Sequence, residues 1–403
     1  MAVGLAPAKE LGTVAGVRVG TAKAGIRYAG RRDLTVIELT EGTVSAATFT
    51  QNRFCAAPVL LAREHLAVTA PRYLLINTGN ANAATGAAGL ADARACCAVL
   101  ARICGCEPAQ VLPFSTGVIG ERLQREAFER GVPLAIEALQ EAGWELAAEA
   151  IMTTDTIPKG AAREVVLSGG NCRIVGIAKG SGMIRPDMAT MLAFIATDAR
   201  LDQARAQQWL RQAVEHSFNR VTVDGDTSTN DACVLSATGA CGVPLAGAED
   251  EQAFHTALTE LMLELAQALV RDGEGASKFI TVQVEKGAST AECLVVAYTV
   301  AHSPLVKTAM FASDPNWGRL VMAIGRAGID DLDPHKVEVY LGDVCIVRAG
   351  GRAAEYTEER GQAVMDRSEI TVRIVLNRGE STDTVWTSDL SHEYITVNAE
   401  YRT

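Results

Sequence analysis

Lys179-Gly-Ser-Gly-Met-Ile-Arg-Pro-Asp-Met-Ala-Thr-Met-Leu192 is a glycine-rich, proline-stiffened loop that ends in Ala189-Thr190 and enters the apolar run Met191-Leu-Ala-Phe-Ile195. Glycine permits close approach of backbone to backbone, and Pro186 fixes φ just upstream of the junction. A small residue, a hydroxyl residue and then a hydrophobic run suit a peptide bond attacked by the side chain that follows it. If Thr190 Oγ attacks the carbonyl of Ala189, the chain passes through an ester and breaks. Thr190 is then left with a free α-amine beside its own hydroxyl, a nucleophile with a built-in base. The same residues also suit a plain connection into a buried strand or helix. Local pattern leaves both open.

Outward from this loop, the chain alternates strands and helices, which predicts an α/β protein. Upstream, Glu164–Leu167, the turn Ser168-Gly-Gly-Asn171 and Arg173–Ala178 predict a hairpin whose second strand delivers Lys179. Further strands are expected at Leu34–Leu39, Arg72–Ile76 and Val111–Ile119. Asn77-Thr-Gly-Asn-Ala-Asn-Ala83 reads as a turn cluster. Leu90–Ile103 reads as a small-residue helix ended by Gly105, and another helix is expected to start near Pro133. Downstream, Asp202 is a good N-cap for a helix reaching His216, and residues 252–271 carry a clear amphipathic stripe of Phe254, Leu258, Leu261, Leu265 and Leu269. The remainder reads as strands at Phe279–Val284, Leu294–Val300, Val337–Leu341, Cys345–Arg348 and Ile370–Leu376.

Composition bounds the function. A chain of 403 residues with 48% hydrophobic content can bury a large core, in two or more lobes. A net charge of −11 argues against a nucleic-acid or anionic-membrane surface, which needs concentrated Lys and Arg. No apolar run is long enough to span a bilayer, and the start lacks a signal-peptide pattern, so a cytosolic protein is expected. The ten cysteines make no CxxC pair and the six histidines no ligand-spaced cluster. The thiols therefore read as reduced core residues, and no metal is expected. The absence of a Walker lysine, GxGxxG or GxSxG removes nucleotide-loop and serine-elbow readings.

The segment Lys179-Gly-x-Gly-Met-Ile-x-Pro-x-Met-Ala-Thr-Met-Leu192 resembles the self-cleavage signature of the ornithine acetyltransferase (bifunctional glutamate N-acetyltransferase) family. Ile151–Lys159 and Phe311–Arg319 resemble further signatures, so the likeness covers essentially the whole chain. It implies stacked β-sheets flanked by helices, the fold of self-processing aminopeptidases, with a smaller C-terminal α/β lobe from about residue 280. It implies an α chain, 1–189, and a β chain, 190–403, that stay together and pair into a heterotetramer. The reaction implied moves acetyl from N-acetyl-L-ornithine to L-glutamate through Thr190, with acetyl-CoA as a further donor and no metal or organic cofactor. A Thr-Gly at the end of the apolar strand Val111–Ile119 offers a hydroxyl and an unhindered N–H, although Ser-Thr-Gly is also a common turn. The resemblance assigns Thr116 and Gly117 to the oxyanion hole. It makes Thr156, Lys179, Thr190, Glu274, Asn398 and the terminal Thr403 substrate contacts. Lys179 suits the α-carboxylate common to donor and acceptor. Glu274 would attract the ornithine ammonium and repel a glutamate side chain.

Other classes make different demands. A self-processing aminopeptidase or amidohydrolase would use the same Thr190 and pass the acyl group to water. Arg348-Ala-Gly-Gly-Arg-Ala353 matches a loose Arg-x-x-Gly-x-Ala pyrophosphate loop, which would imply direct transfer from acetyl-CoA without cleavage. A non-catalytic oligomeric binding protein would not depend on Thr190 at all.

Overall fold

The structure is a computed structural model that describes residues 2–8, 10–185 and 191–400. The Ala189–Thr190 junction and Thr403 lie outside the described residues. The chain forms two compact units. The first comprises Ala6–Asn219 and Asp226–Leu269, and the second comprises Arg220–Gly225 and Val270–Thr403 together with the N-terminal residues up to Leu5.

The described residues of the first unit hold two sheets. One has the order Val17–Ala22, Leu34–Leu39, Tyr73–Asn80, Val111–Val118, antiparallel except for the parallel last pair. A parallel pair needs a crossover, and the helix Gly86–Cys104 supplies it. Pro113 is tolerated inside its strand because that strand is the sheet edge, where a missing N–H leaves no ladder bond unmade. The other sheet runs Val44–Phe49, Ala232–Ala237, Leu192–Thr197, Gly170–Lys179, Lys159–Leu167. Its last pair is the expected hairpin, in register from Lys159↔Ala178 to Leu167↔Gly170.

The two sheets stack. Ile37, Leu74, Ile76, Leu112 and Phe114 of one pack with Val175, Ile177, Leu192, Phe194 and Val234 of the other in one buried cluster. Phe114 and Phe194 meet edge to face across it, centroids 5.1 Å apart. Each fully buried ring of this kind contributes about 1.5–3 kcal/mol. The outer face of the first sheet is closed by Gly86–Cys104 and Arg125–Glu137. The outer face of the second lies under the helix Ala248–Arg271, so closely that a Cβ on Gly176 would stand 2.8 Å from Leu261. Stacked sheets flanked by helices are therefore present, as expected.

The described residues of the second unit hold one seven-stranded sheet, which includes Phe279–Gly287, Glu338–Leu341, Glu369–Val375 and Ser381–Ser388, with Val221–Thr222 as one edge. Its core is a single apolar cluster from Ile280 to Val385. Three sequence expectations are corrected. Leu294–Val300 is part of a helix, Thr290–Ala301, because Ser289 Oγ caps it by accepting from Glu292 N, and because Cys293, Val296, Ala297 and Val300 fall on one buried face. That packing outweighs the β-branched content. The helix expected from Pro133 starts at Arg125 and holds Pro133 inside, where the missing N–H costs the one helical bond to the Glu129 carbonyl. Asn77–Asn80 continues the strand Tyr73–Asn80 instead of turning, since its amides find partners within the fold.

The second unit also docks the chain's tail. The helix His392–Ala399 is capped by Ser391, whose Oγ accepts from Tyr394 N and donates to Gly275 O at 2.7 Å. Gly275 has φ +67°, and a Cβ there would lie 2.5 Å from both Ser391 Oγ and Tyr394 N. Only glycine lets the loop and the tail approach this closely. Gly275→Ala is therefore expected to cost about 1–3 kcal/mol and to expose the tail to limited proteolysis. Unchanged protection of residues 392–399 would show that the tail is held elsewhere.

Candidate active site

The strand that carries Thr116 ends in an irregular stretch. Gly117 has φ +131° and Gly79, on the neighbouring strand, φ +103°, with the register shifting between Gly79 and Asn80. A Cβ on Gly117 would lie 2.2 Å from the Gly79 carbonyl carbon. Glycine is thus required by both conformation and space, which a turn reading of Ser-Thr-Gly does not demand. Thr116 and its neighbour Ser115 are buried.

Lys179 ends the strand Gly170–Lys179, paired with Leu192 across the mouth of the loop quoted above. Its Nζ donates to Thr116 Oγ1 at 3.2 Å, joining residues 63 apart in sequence. Gly180 N donates to Asp155 Oδ1 at 2.8 Å, and Lys159 Nζ reaches the same oxygen at 2.6 Å. The Asp155 and Lys159 side chains are both fully buried. Burial opposes the charge on Asp155 most strongly. The ammonium groups of Lys159 and Lys179 nevertheless outweigh it and, with hydrogen bonds from Lys159 and Thr153 N, hold the carboxyl well below the usual carboxylate range. Thr156, next to Asp155 in the same loop, is exposed. On the far side of the junction, Met191 is buried and its carbonyl accepts from Ala232 N at 3.1 Å.

Around this cluster lies a buried amide network. Ser115 Oγ donates to Asn77 Oδ1 at 2.6 Å, and Asn77 Nδ2 donates to Asn80 O at 2.8 Å. Asn230 Nδ2 donates to Ala81 O at 2.7 Å and to Ser115 O at 2.9 Å. The hydroxyl- and carboxylate-rich block Phe218–Asp231 would ordinarily read as a solvated loop. Its residues Ser228 to Asp231 are instead buried and clamp the strand end that presents Thr116.

Glu274 and Asn398 belong to the second unit. Asn398 Nδ2 donates to Glu274 Oε2 at 2.7 Å, so two substrate contacts expected 124 residues apart are brought together. The loop carrying Glu274 is fixed by Asp389, whose carboxylate accepts from Ser277 N, Ser277 Oγ and Lys278 N. Nearby, Lys307 Nζ donates to Thr387 Oγ1 and to Ser388 O. Burial pushes the Lys307 ammonium down to about 8, against the pull of Asp389 and Asp224.

Sequence reading missed Asp155, Lys159 and Asn230. The signal was present in Asp155-Thr-Ile-Pro-Lys159, since an acid and a base four residues apart suggest a local ion pair. That both would be buried was not readable. Among the described residues no three His, Cys, Asp or Glu side chains gather to hold a metal, no single helix is long and apolar enough to cross a membrane, and the ten cysteines are free.

Comparison with known proteins places this geometry in a context. The model of the ArgJ family matches residues 18–403. An arginine biosynthesis bifunctional protein ArgJ of Pseudomonas fluorescens (strain Pf0-1) is 54% identical over 406 residues, covering 100% of both chains. The protein of the same description from Methylococcus capsulatus is 57% identical over 392 residues, covering 97% of this chain and 96% of the relative. A solved arginine biosynthesis bifunctional protein of Bacillus halodurans is 35% identical with a TM-score of 0.50, covering 53% of this chain and 100% of the solved one.

The buried charge cluster makes a stability prediction. Asp155→Asn removes a buried carboxylate from beside two buried lysines and is expected to cost about 3–5 kcal/mol, lowering Tm by on the order of 10 °C. Because the folded carboxyl titrates below its unfolded value near 3.9, its contribution is complete above that value and fades as pH falls below it. Thermal melts from pH 7 to pH 3 should therefore show the gap between wild type and variant closing on the acid side. A gap that stays constant would mean that Asp155 is not charged in the fold.

Proposed function

The chain belongs to the ArgJ family, and from that premise we propose that it moves acetyl from N-acetyl-L-ornithine to L-glutamate through an acetyl-enzyme on Thr190. It is an enzyme of arginine biosynthesis, and the observation that carries this is identity of 54–57% to bifunctional ArgJ proteins over essentially the whole chain.

The chemistry follows from the residues. After cleavage the Thr190 α-amine, with a pKa near neutrality, takes the Oγ proton. Oγ then attacks the acetyl carbonyl, whose oxygen becomes anionic. The Thr116 hydroxyl and the Gly117 N–H supply donors to that oxygen in a buried, low-dielectric setting. Collapse breaks the C–N bond, the proton passes to the departing nitrogen, and ornithine leaves an ester on Thr190. The α-amine of glutamate attacks that ester and carries the acetyl group away. Acetyl-CoA can charge the same Thr190. The cycle calls for no metal or organic cofactor. Thr156, Lys179, Glu274, Asn398 and Thr403 contact the amino-acid substrates in this reading, and the enzyme works in the cytosol.

Cleavage would yield an α chain, 1–189, and a β chain, 190–403, that remain associated and pair into a heterotetramer. The complete solved chain from Bacillus halodurans corresponds to 53% of this chain, and residues 190–403 make up about that share, which supports a family whose members are divided in two. The buried core is also consistent with association, since Phe114 and Phe194 come from opposite sides of the junction.

Intact mass under denaturing conditions tests the reading, followed by assay of acetyl exchange. Two chains are expected, one beginning Thr190-Met-Leu, together with transfer from acetylornithine to glutamate. Thr190→Ala should stay as one chain and lose at least about 10³-fold in turnover. An intact chain that still exchanges acetyl would sink the Thr190-amine mechanism. Release of acetate without acetylglutamate would make the protein an amidohydrolase.

A further inference from the structure

The contact between Lys179 and Thr116 has a fixed polarity. An ammonium group has three donors and no acceptor, so in the 3.2 Å bond the Thr116 oxygen must accept. A hydroxyl with a lone pair engaged in this way directs its own proton elsewhere, and the bond also polarises the O–H. The groups that hold Lys179 point the same way. Asp155 lies between Lys159, at 2.6 Å, and the Lys179–Gly180 end of the strand, where Gly180 N donates to it at 2.8 Å. Asp155, Lys159 and Lys179 are each less than a tenth exposed. An ammonium group that donates to a hydroxyl in a buried setting polarises it and favours an oxyanion forming beside it.

We propose that Lys179 is a positioning residue of the oxyanion hole: it holds Thr116 Oγ1 as an acceptor and so presents the Thr116 proton to the acetyl oxygen, with Asp155 fixing Lys179 in place. This differs from a cation that clamps the substrate α-carboxylate, and it rests on the acetyltransferase reading above. In this role Lys179 acts through Thr116, beside the substrate contact proposed above. The same arrangement serves any acyl donor, whether or not it carries a carboxylate.

The test uses p-nitrophenyl acetate, an acetyl donor without an α-carboxylate. Acetylation of the β chain is followed in a single turnover by intact mass and nitrophenolate release in wild type, Lys179→Met, Thr116→Val and the double variant. Thr116→Val is expected to slow acetylation by about 10²–10³-fold and Lys179→Met by at least about 10-fold. The double variant should be no slower than Thr116→Val alone, because both changes remove one device. Wild-type acetylation by p-nitrophenyl acetate in Lys179→Met, with only the KM for acetylornithine raised, would overturn the proposal in favour of a carboxylate clamp. Multiplied losses in the double variant would overturn it too. If the variants remain uncleaved, their cleavage rates are compared instead. Equal arrest in all three supports the proposal, while arrest in Lys179→Met with cleavage in Thr116→Val overturns it. A wild-type β chain that takes up no acetyl group at all would remove the acetyltransferase reading itself, and the role of Lys179 with it.

Discussion

One buried carboxylate between two lysines sets the terms for the first unit. Removing Asp155, Lys159 and Lys179 from water is costly, and the cost is offset while Asp155 stays paired with Lys159 and close to the charge of Lys179. That requirement ties together pieces distant in sequence: the loop after the helix Trp144–Ala150, the first residue of the strand Lys159–Leu167 and the last residue of Gly170–Lys179. A cluster of this kind contributes less to net stability than to definiteness of position. It allows one arrangement of the hairpin end, and that end faces the loop in which self-cleavage is expected.

The same unit shows how close packing is converted into donor geometry. Two sheets stacked through Phe114 and Phe194 give a rigid base on which the strand end can depart from regular pairing. The departure is made by glycine at Gly79 and Gly117, and it is stabilised by Asn77, Ser115 and Asn230, whose amides and hydroxyls satisfy the backbone groups that the bulge releases. A hydroxyl and an N–H at the end of an edge strand are ordinary. Held by this network, the Thr116 hydroxyl and the Gly117 N–H are fixed in place, as the proposed role of donors to a developing charge requires.

The second unit solves a different problem, which is to make a chain terminus definite. Termini generally fray. Here Gly275 admits the tail helix, Ser391 caps it and bonds back to the loop, and Asn398 closes the contact on Glu274. Asp389 pins the base of that loop with three donors.

What the sequence by itself determined was whatever depends on local pattern or on recognisable motifs. The hairpin before Lys179, the helix capped by Asp202, the amphipathic helix reaching Arg271 and most strands follow from periodicity and caps that act over a few residues. The family followed from the Lys179–Leu192 signature, and the expectations for Thr116, Lys179 and Glu274 came with it. Tertiary structure decided the rest, because the decisive partners are remote. Leu294–Val300 is helical since its burial falls on one face, and Pro133 sits inside a helix whose packing begins eight residues earlier. The block Ser228–Asp231 is a buried clamp and not a solvated loop, because strand ends elsewhere need its amide groups. Whether Lys179 is a solvated strand end or a buried donor to Thr116 depends on a carboxylate 24 residues away and a hydroxyl 63 residues away. No local pattern carries that information, since burial and hydrogen-bond polarity exist only once the chain has folded.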